Sequence, residues 1–179
     1  MKTVIIAAGN GSRLQEQTND IPKTLLPYEN GTILSTIIGN FKKNHIHKFV
    51  MVLGYKSMMI QDYLIENNYF SCSFEFIINP QWTRGNGISA FLAHQAIAEN
   101  KPFILSMADH IVTPEALEII IQSPNPKNLL LTDRNIQRCV DIDDATKVKT
   151  AGSQIKAIGK HLTDYNAIDC GIFKLNSRF

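Results

Sequence analysis

Two glycines set directly behind an apolar run give this chain its first chemically suggestive feature. Val4 to Ala8 stop at Gly9-Asn10-Gly11-Ser12-Arg13, and Pro22-Lys23 follows a little further on. Glycine lets backbone N–H groups approach an anion closely, Arg13 adds a forked cationic donor, and Lys23 supplies a second positive charge. Those residue types in that order are suited to binding phosphate. Asp109 ends the segment Ser106-Met107-Ala108-Asp109-His110, and Asp169 lies in Asn166-Ala167-Ile168-Asp169-Cys170-Gly171. A carboxylate at a strand end can hold magnesium, which takes oxygen ligands from one or two carboxylates plus substrate phosphates and water. Each feature also has a plainer reading. Two glycines can be an ordinary turn, either aspartate can cap a helix, and Asn86-Gly87 is a favoured turn pair.

The elements that must position these residues follow from hydrophobic spacing. Val4 to Ala8 predicts a buried strand feeding the glycine-rich loop. Ile33, Leu34, Ile37, Ile38 and Phe41 recur at helical spacing until the polar run from Lys42 to His45. A strand from Phe49 to Leu53, a helix marked by Met59, Ile60, Tyr63 and Leu64, and a strand from Phe74 to Ile78 come next. The spacing then predicts a helix over Ile88 to Ala98, a strand over Phe103 to Met107, a helix from Pro114 to Ile121 and a strand over Leu129 to Thr132. After Asp141 short strands surround Gly152, and Ile168 to Leu175 returns to the sheet. This alternation predicts an α/β fold with a mainly parallel central sheet, helices on both faces and a small hairpin-bearing insertion. In such sheets ligands gather beyond the carboxyl ends of the strands, where the glycine loop and Asp109 would both lie.

Composition narrows the function. A length of 179 residues with 44% hydrophobic content suits one soluble domain spanning residues 1–179. A formal charge of +2 spread along the chain lacks the basic footprint of a nucleic-acid binder. The N-terminal apolar run is too short for a membrane span and lacks a signal-peptide pattern, and three separated cysteines suit a reducing cytoplasm. Two common nucleotide motifs fail. Leu14 stands at the third glycine of GxGxxG, which weighs against a dinucleotide-dependent oxidoreductase, and GxxxxGK[ST] is absent.

The pairing of AAGNGSRL with PKTLLP resembles the nucleotidyltransferase superfamily that makes nucleotide-sugars and related activated alcohols. The resemblance sharpens downstream. Asn79-Pro80-x-Trp82, Asn86-Gly87-Ile88-Ser89, MADH, Asp141-x-Asp143-Asp144-Ala145-Thr146-Lys147-Val148, Ile158-Gly159-Lys160 and Tyr165 to Asp169 together look like the inositol-1-phosphate cytidylyltransferase group. It implies a three-layer Rossmann-like nucleotidyltransferase fold. Ala8, Gly9, Gly11 and Ser12 would then wrap the triphosphate, Arg13 would hold the departing phosphates, and Lys23 would stabilise the α-phosphate under attack. By the same resemblance Asn86, Gly87 and Ser89 would lie near base and ribose, Asp109 and Asp169 would hold Mg²⁺, and Lys147 would meet the acceptor's phosphate. Lys160 is read as solvated. Cys170 stands where threonine is expected in this group, and Thr24 where proline is common.

The implied reaction is Mg²⁺-dependent transfer of a nucleotidyl group, with CTP and inositol-1-phosphate as the leading pair and pyrophosphate released. A sugar-1-phosphate, phosphocholine or an aminoalkyl phosphonate comes next as acceptor, and a regulatory domain that binds nucleotide without turnover is the competing class. The group continues beyond the strand that carries Asp169 and is often fused to a membrane-embedded alcohol phosphatidyltransferase. The chain is therefore expected to be a fragment or a short version, itself without a membrane span.

Overall fold

The computed structural model describes residues 1–11, 21–94, 97, 101–124 and 127–176. Ser12 and Arg13 lie outside the described residues. The chain alternates as its spacing predicts. Strand β1 (Thr3–Ala7) is followed by a helical turn at Lys23–Leu25 and a short hairpin of β2 (Pro27–Tyr28) and β3 (Gly31–Thr32). Then come α1 (Ile33–Lys43), β4 (Lys48–Leu53), α2 (Ser57–Glu66), β5 (Ser73–Ile78) and α3 (Asn86–His94). Strand β6 (Phe103–Met107), α4 (Pro114–Gln122), β7 (Leu129–Asp133), the hairpin β8 (Lys147–Ala151) and β9 (Gln154–Gly159), and β10 (Ala167–Leu175) complete it.

The start signals of α1 and α4 can be traced to single side chains. Thr32 accepts from Ser35 N–H while Ser35 Oγ accepts from Thr32 N–H, a reciprocal cap that satisfies two otherwise orphaned donors of α1. Thr113 caps α4 and Pro114 opens it, where a missing N–H costs nothing.

The sheet runs β5-β4-β1-β6-β10-β8-β9, with β7 also paired to β10. Strands β5, β4, β1 and β6 are parallel, whereas β10 enters antiparallel between β6 and β7. The period of two along the parallel strands builds two cores. Ile5, Ala7, Met51, Leu53 and Ile104 face α1, α2 and α4 through Leu34, Ile38, Phe41, Ile60, Leu64, Leu117 and Ile120. Val4, Ile6, Val50, Val52, Phe103 and Leu105 face the other way, against Ala93 of α3 and Ile97. Burial on both faces is why these strands read as continuous apolar runs. The third helix begins at Asn86, before the predicted Ile88, so Asn86-Gly87 forms its first turn rather than a free-standing one. Among the described residues no helix is long and apolar enough to cross a membrane.

One buried cation locks the returning strand to this frame. Lys174 is 5% exposed and its Nζ donates to the carbonyls of Ile121 and Ser123, each at 2.7 Å, at the end of α4. Those carbonyls carry the negative end of the helix dipole. Replacing Lys174 by Met removes donors from two carbonyls at a buried junction and is expected to cost about 1–3 kcal/mol of stability. Urea denaturation measures the loss.

Candidate active site

The parallel strands end at one edge of the sheet, and a cleft of about 910 Å³ opens there. Gly9 and Gly11 behind β1, Lys23, Asn86 and Gly87 at the start of α3, Asp109 behind β6 and Asp169 of β10 all line it. The neighbouring loops are tied to one another. Tyr55 N–H donates to Ala8 O at 3.0 Å, and Ala108 N–H donates to Ile6 O at 3.1 Å, which carries the β6 chain one step past the sheet before it turns into Asp109. Gly11 sits at φ +61°, and a Cβ there would stand 3.1 Å from Lys23 Cβ. The loop thus lets the lysine stem lie against it.

Asp109 meets two cationic partners in the cleft. Its Oδ2 accepts from Lys23 Nζ at 3.1 Å and its Oδ1 lies 2.8 Å from His110 Nδ1. The bond to His110 first, and then the positive charges of His110 and Lys23, hold the Asp109 carboxyl well below the usual range against the opposing effect of burial. Reciprocally, the bond to Asp109 raises the His110 imidazole. Asp169 differs. Burial pushes it up, opposed by the N–H of Gly171, which donates to its Oδ1 at 2.6 Å. Burial, with Asp133 and Asp169 nearby, pushes the Cys170 thiol up to about 11, away from the thiolate form a nucleophile needs.

Three expected residues stand elsewhere. Ala8 is 2% exposed and meets the loop after β4 through its carbonyl, rather than lining the cleft. Ser89 is 1% exposed and accepts from Asn79 Nδ2 at 2.9 Å, so it fastens α3 to the end of β5 instead of facing a ligand. Lys147 is 8% exposed, and its Nζ donates to Lys160 O at 2.8 Å and lies 5.8 Å from the centre of the Tyr165 ring. It is not among the residues that line the cleft. Lys160, read from sequence as solvated, is exposed and also lines the cleft, with its Nζ 2.7 Å from Asp144 Oδ1. Asp141 and Thr146 join it on that wall. Position gave the available signal for Lys160: it follows Gly159 at the end of β9, in the Ile158-Gly159-Lys160 segment.

A phosphate-compatible loop, a lysine and two carboxylates at the carboxyl edge of a mainly parallel sheet define an α/β nucleotide-binding enzyme site. The chain belongs to the Nucleotidyl transferase family, whose sequence model matches residues 2–132. It is 33% identical over 175 residues to the bifunctional IPC transferase and DIPP synthase of Thermococcus kodakarensis, a match covering 98% of this chain and 38% of that protein. It is 26% identical over 193 residues to the CTP:phosphoglutamine cytidylyltransferase of Campylobacter jejuni, covering 100% of this chain and 74% of the relative. The inositol-1-phosphate CTP transferase of T. maritima shares its fold with a TM-score of 0.88 at 24% identity, over 99% of this chain and 71% of that one. The chain thus spans well under half the length of its bifunctional relatives.

The buried pair that fastens α3 can be separated from ligand contact by experiment. Ser89→Ala leaves the Asn79 amide without its partner in a site closed to water, and a loss of about 1–3 kcal/mol is expected. Thermal unfolding reads this loss, and nucleotide affinity measured well below the melting point should change far less than in Lys23→Ala.

Proposed function

We propose that this chain transfers a cytidylyl group from CTP to a phosphorylated alcohol, with inositol-1-phosphate as the leading acceptor, and releases pyrophosphate. The observation that carries the reading is one cleft holding the Gly9–Gly11 loop, Lys23, Asp109 and Asp169 together with Lys160 on the facing wall. The family and the named activities of its relatives support the same reading. Of the two activities in the bifunctional relatives' names, only the first is extended to this chain, whose match covers 38% of the Thermococcus kodakarensis protein.

Asp109 and Asp169 fit magnesium by the nature of their donors. Both are oxygen ligands on neighbouring elements, and among the described residues no group of three or more His, Cys, Asp or Glu is arranged to hold a metal alone. Magnesium commonly relies on one or two carboxylates and completes its shell with phosphates and water. When bound, it would neutralise charge on the triphosphate. Gly9 and Gly11 offer backbone N–H groups to the phosphates, Asn86 and Gly87 are assigned to base and ribose, and Lys23 supplies positive charge to the α-phosphate. Ser12 and Arg13 complete the hold on the departing pyrophosphate in this reading.

An acceptor phosphate oxygen attacks the α-phosphorus in line. A P–O bond forms to the acceptor, the α–β bridging P–O bond breaks, and its electron pair leaves with pyrophosphate. No proton need be removed from a phosphate dianion, so the protein contributes orientation and charge. Lys160 is the cation assigned to the acceptor's phosphate, with Lys147 holding its backbone in place. Asp141 and Asp144 can accept from the hydroxyls of a polyol.

Pyrophosphate release with Mg²⁺, across CTP, UTP, GTP and dTTP against inositol-1-phosphate, sugar-1-phosphates and phosphocholine, tests the reaction. Turnover of CTP with inositol-1-phosphate, abolished by EDTA, is expected. Lys23→Ala and Asp109→Ala should each lower kcat/KM about a hundredfold or more, the scale for a lost transition-state charge contact. Unchanged turnover in both would overturn the assignment.

The two lysines can be told apart by the same assay. Lys160→Ala should raise the acceptor KM about tenfold or more with the CTP KM little changed, a charge-assisted bond being worth roughly 1.5–3 kcal/mol. Lys147→Met should lower the melting temperature as well. A larger acceptor-KM effect in Lys147→Met than in Lys160→Ala would return the acceptor contact to Lys147.

A further inference from the structure

The two carboxylates of the cleft belong to separate elements, yet one side chain touches the support of both. His110 Nδ1 stands 2.8 Å from Asp109 Oδ1. An ionised carboxylate only accepts, so Nδ1 carries the proton and donates. The opposite support is backbone. Gly171 N–H donates to Asp169 Oδ1 at 2.6 Å, and β10 slips in register against β7 between Asp169 and Phe173. Gly171 sits inside that irregularity at φ +69°, and a Cβ on it would stand 2.6 Å from His110 Cγ and 2.9 Å from both Nδ1 and Cδ2. The imidazole is packed on the bare Cα of the residue whose N–H holds Asp169.

We infer that His110 is a positioning residue for the cation site: its ring, seated on Gly171, fixes the aim of Asp109 relative to Asp169. The inference rests on the reading above, in which these two aspartates hold the divalent ion. Other roles for the histidine fit the geometry less well. Its side chain is 42% exposed and lines the cleft, so it is not a core filler. With Nδ1 donating to Asp109, that nitrogen cannot ligate a metal, and imidazole is a poor partner for magnesium in any case. The reaction proposed above needs no proton from it. What remains is orientation of a ligand carboxylate, a task whose loss typically weakens metal binding by about 10–100-fold.

The test is Mn²⁺ titration followed by electron paramagnetic resonance on the 179-residue chain, saturated with a non-hydrolysable CTP analogue. Affinity for the analogue is measured in parallel in EDTA. His110→Ala should weaken Mn²⁺ about tenfold or more while leaving the EDTA value within about twofold. His110→Asn should recover most of the loss, because an asparagine amide nitrogen lies as many bonds from the backbone as Nδ1 and also donates. A purely structural histidine would not be rescued in this way. Gly171→Ala should weaken Mn²⁺ too, and in the His110→Ala background the same change should cost less, since the ring it collides with is gone. Should Gly171→Ala fail to fold, the two His110 variants decide. Unchanged Mn²⁺ affinity in His110→Ala, or no difference between Asn and Ala, overturns the inference alone. A parent chain that binds no Mn²⁺ overturns the inference and the metal assignment together.

Discussion

Asp109 carries two charge-assisted hydrogen bonds, and each ties it to a different part of the chain. Lys23 arrives from the helical turn that follows the glycine loop, and His110 reaches across to β10. A partly buried carboxylate is costly to keep ionised unless positive groups surround it. Here they do, and its titration is pushed well below the ordinary range. The arrangement depends in turn on strand order. Only because β6 lies between β1 and β10 can one aspartate at its end meet a lysine from the first loop and a ring seated on the last strand. The apolar faces of these strands have no chemistry of their own, but their burial on both sides fixes the order.

The environments of the two carboxylates diverge. Asp109 is stabilised as an anion by its neighbours, whereas Asp169 is raised by burial and is held chiefly by one backbone N–H. In the proposed reaction, a site that brings two phosphorylated reactants together must supply positive charge without trapping it in permanent ion pairs. A carboxylate lacking a dominant cationic partner is suited to accept a divalent ion when the substrate delivers one. Lys23 meanwhile stays near the glycine loop, where a triphosphate can compete with Asp109 for its ammonium.

Much of this was legible in the sequence. Alternating apolar runs gave the order of strands and helices, and the rule that ligands gather at carboxyl ends of strands placed Gly9, Gly11, Lys23, Asp109 and Asp169 in one cleft. Ser89 was misplaced for a physical reason. On α3 it lies four residues before the buried Ala93, on the same inward face, where it meets Asn79. His110 was named but given no part, because its value lies in contact with Gly171, a residue far away in sequence whose positive φ nothing local announces. The antiparallel entry of β10 was likewise invisible: a buried antiparallel strand and a buried parallel one present the same apolar run.

The lysines of the β8–β9 hairpin show how register decides function. Lys147 pairs with Gly159 across the hairpin, and β10 closes its other side at Ile168, so its stem is enclosed and its ammonium meets the carbonyl just past the pair. Lys160, one residue beyond Gly159, escapes that enclosure and reaches the cleft. A one-residue difference in register thus separates a lysine that holds the chain from one that can hold a ligand. The same geometry divides the cleft. The wall assigned to the nucleotide is built on the ends of parallel strands bound into both cores, while the other is an antiparallel hairpin whose ladder with β10 pairs Ala167 with Val148 and Ile168 with Lys147. Changes on the hairpin can reshape the acceptor side without disturbing the parallel strands.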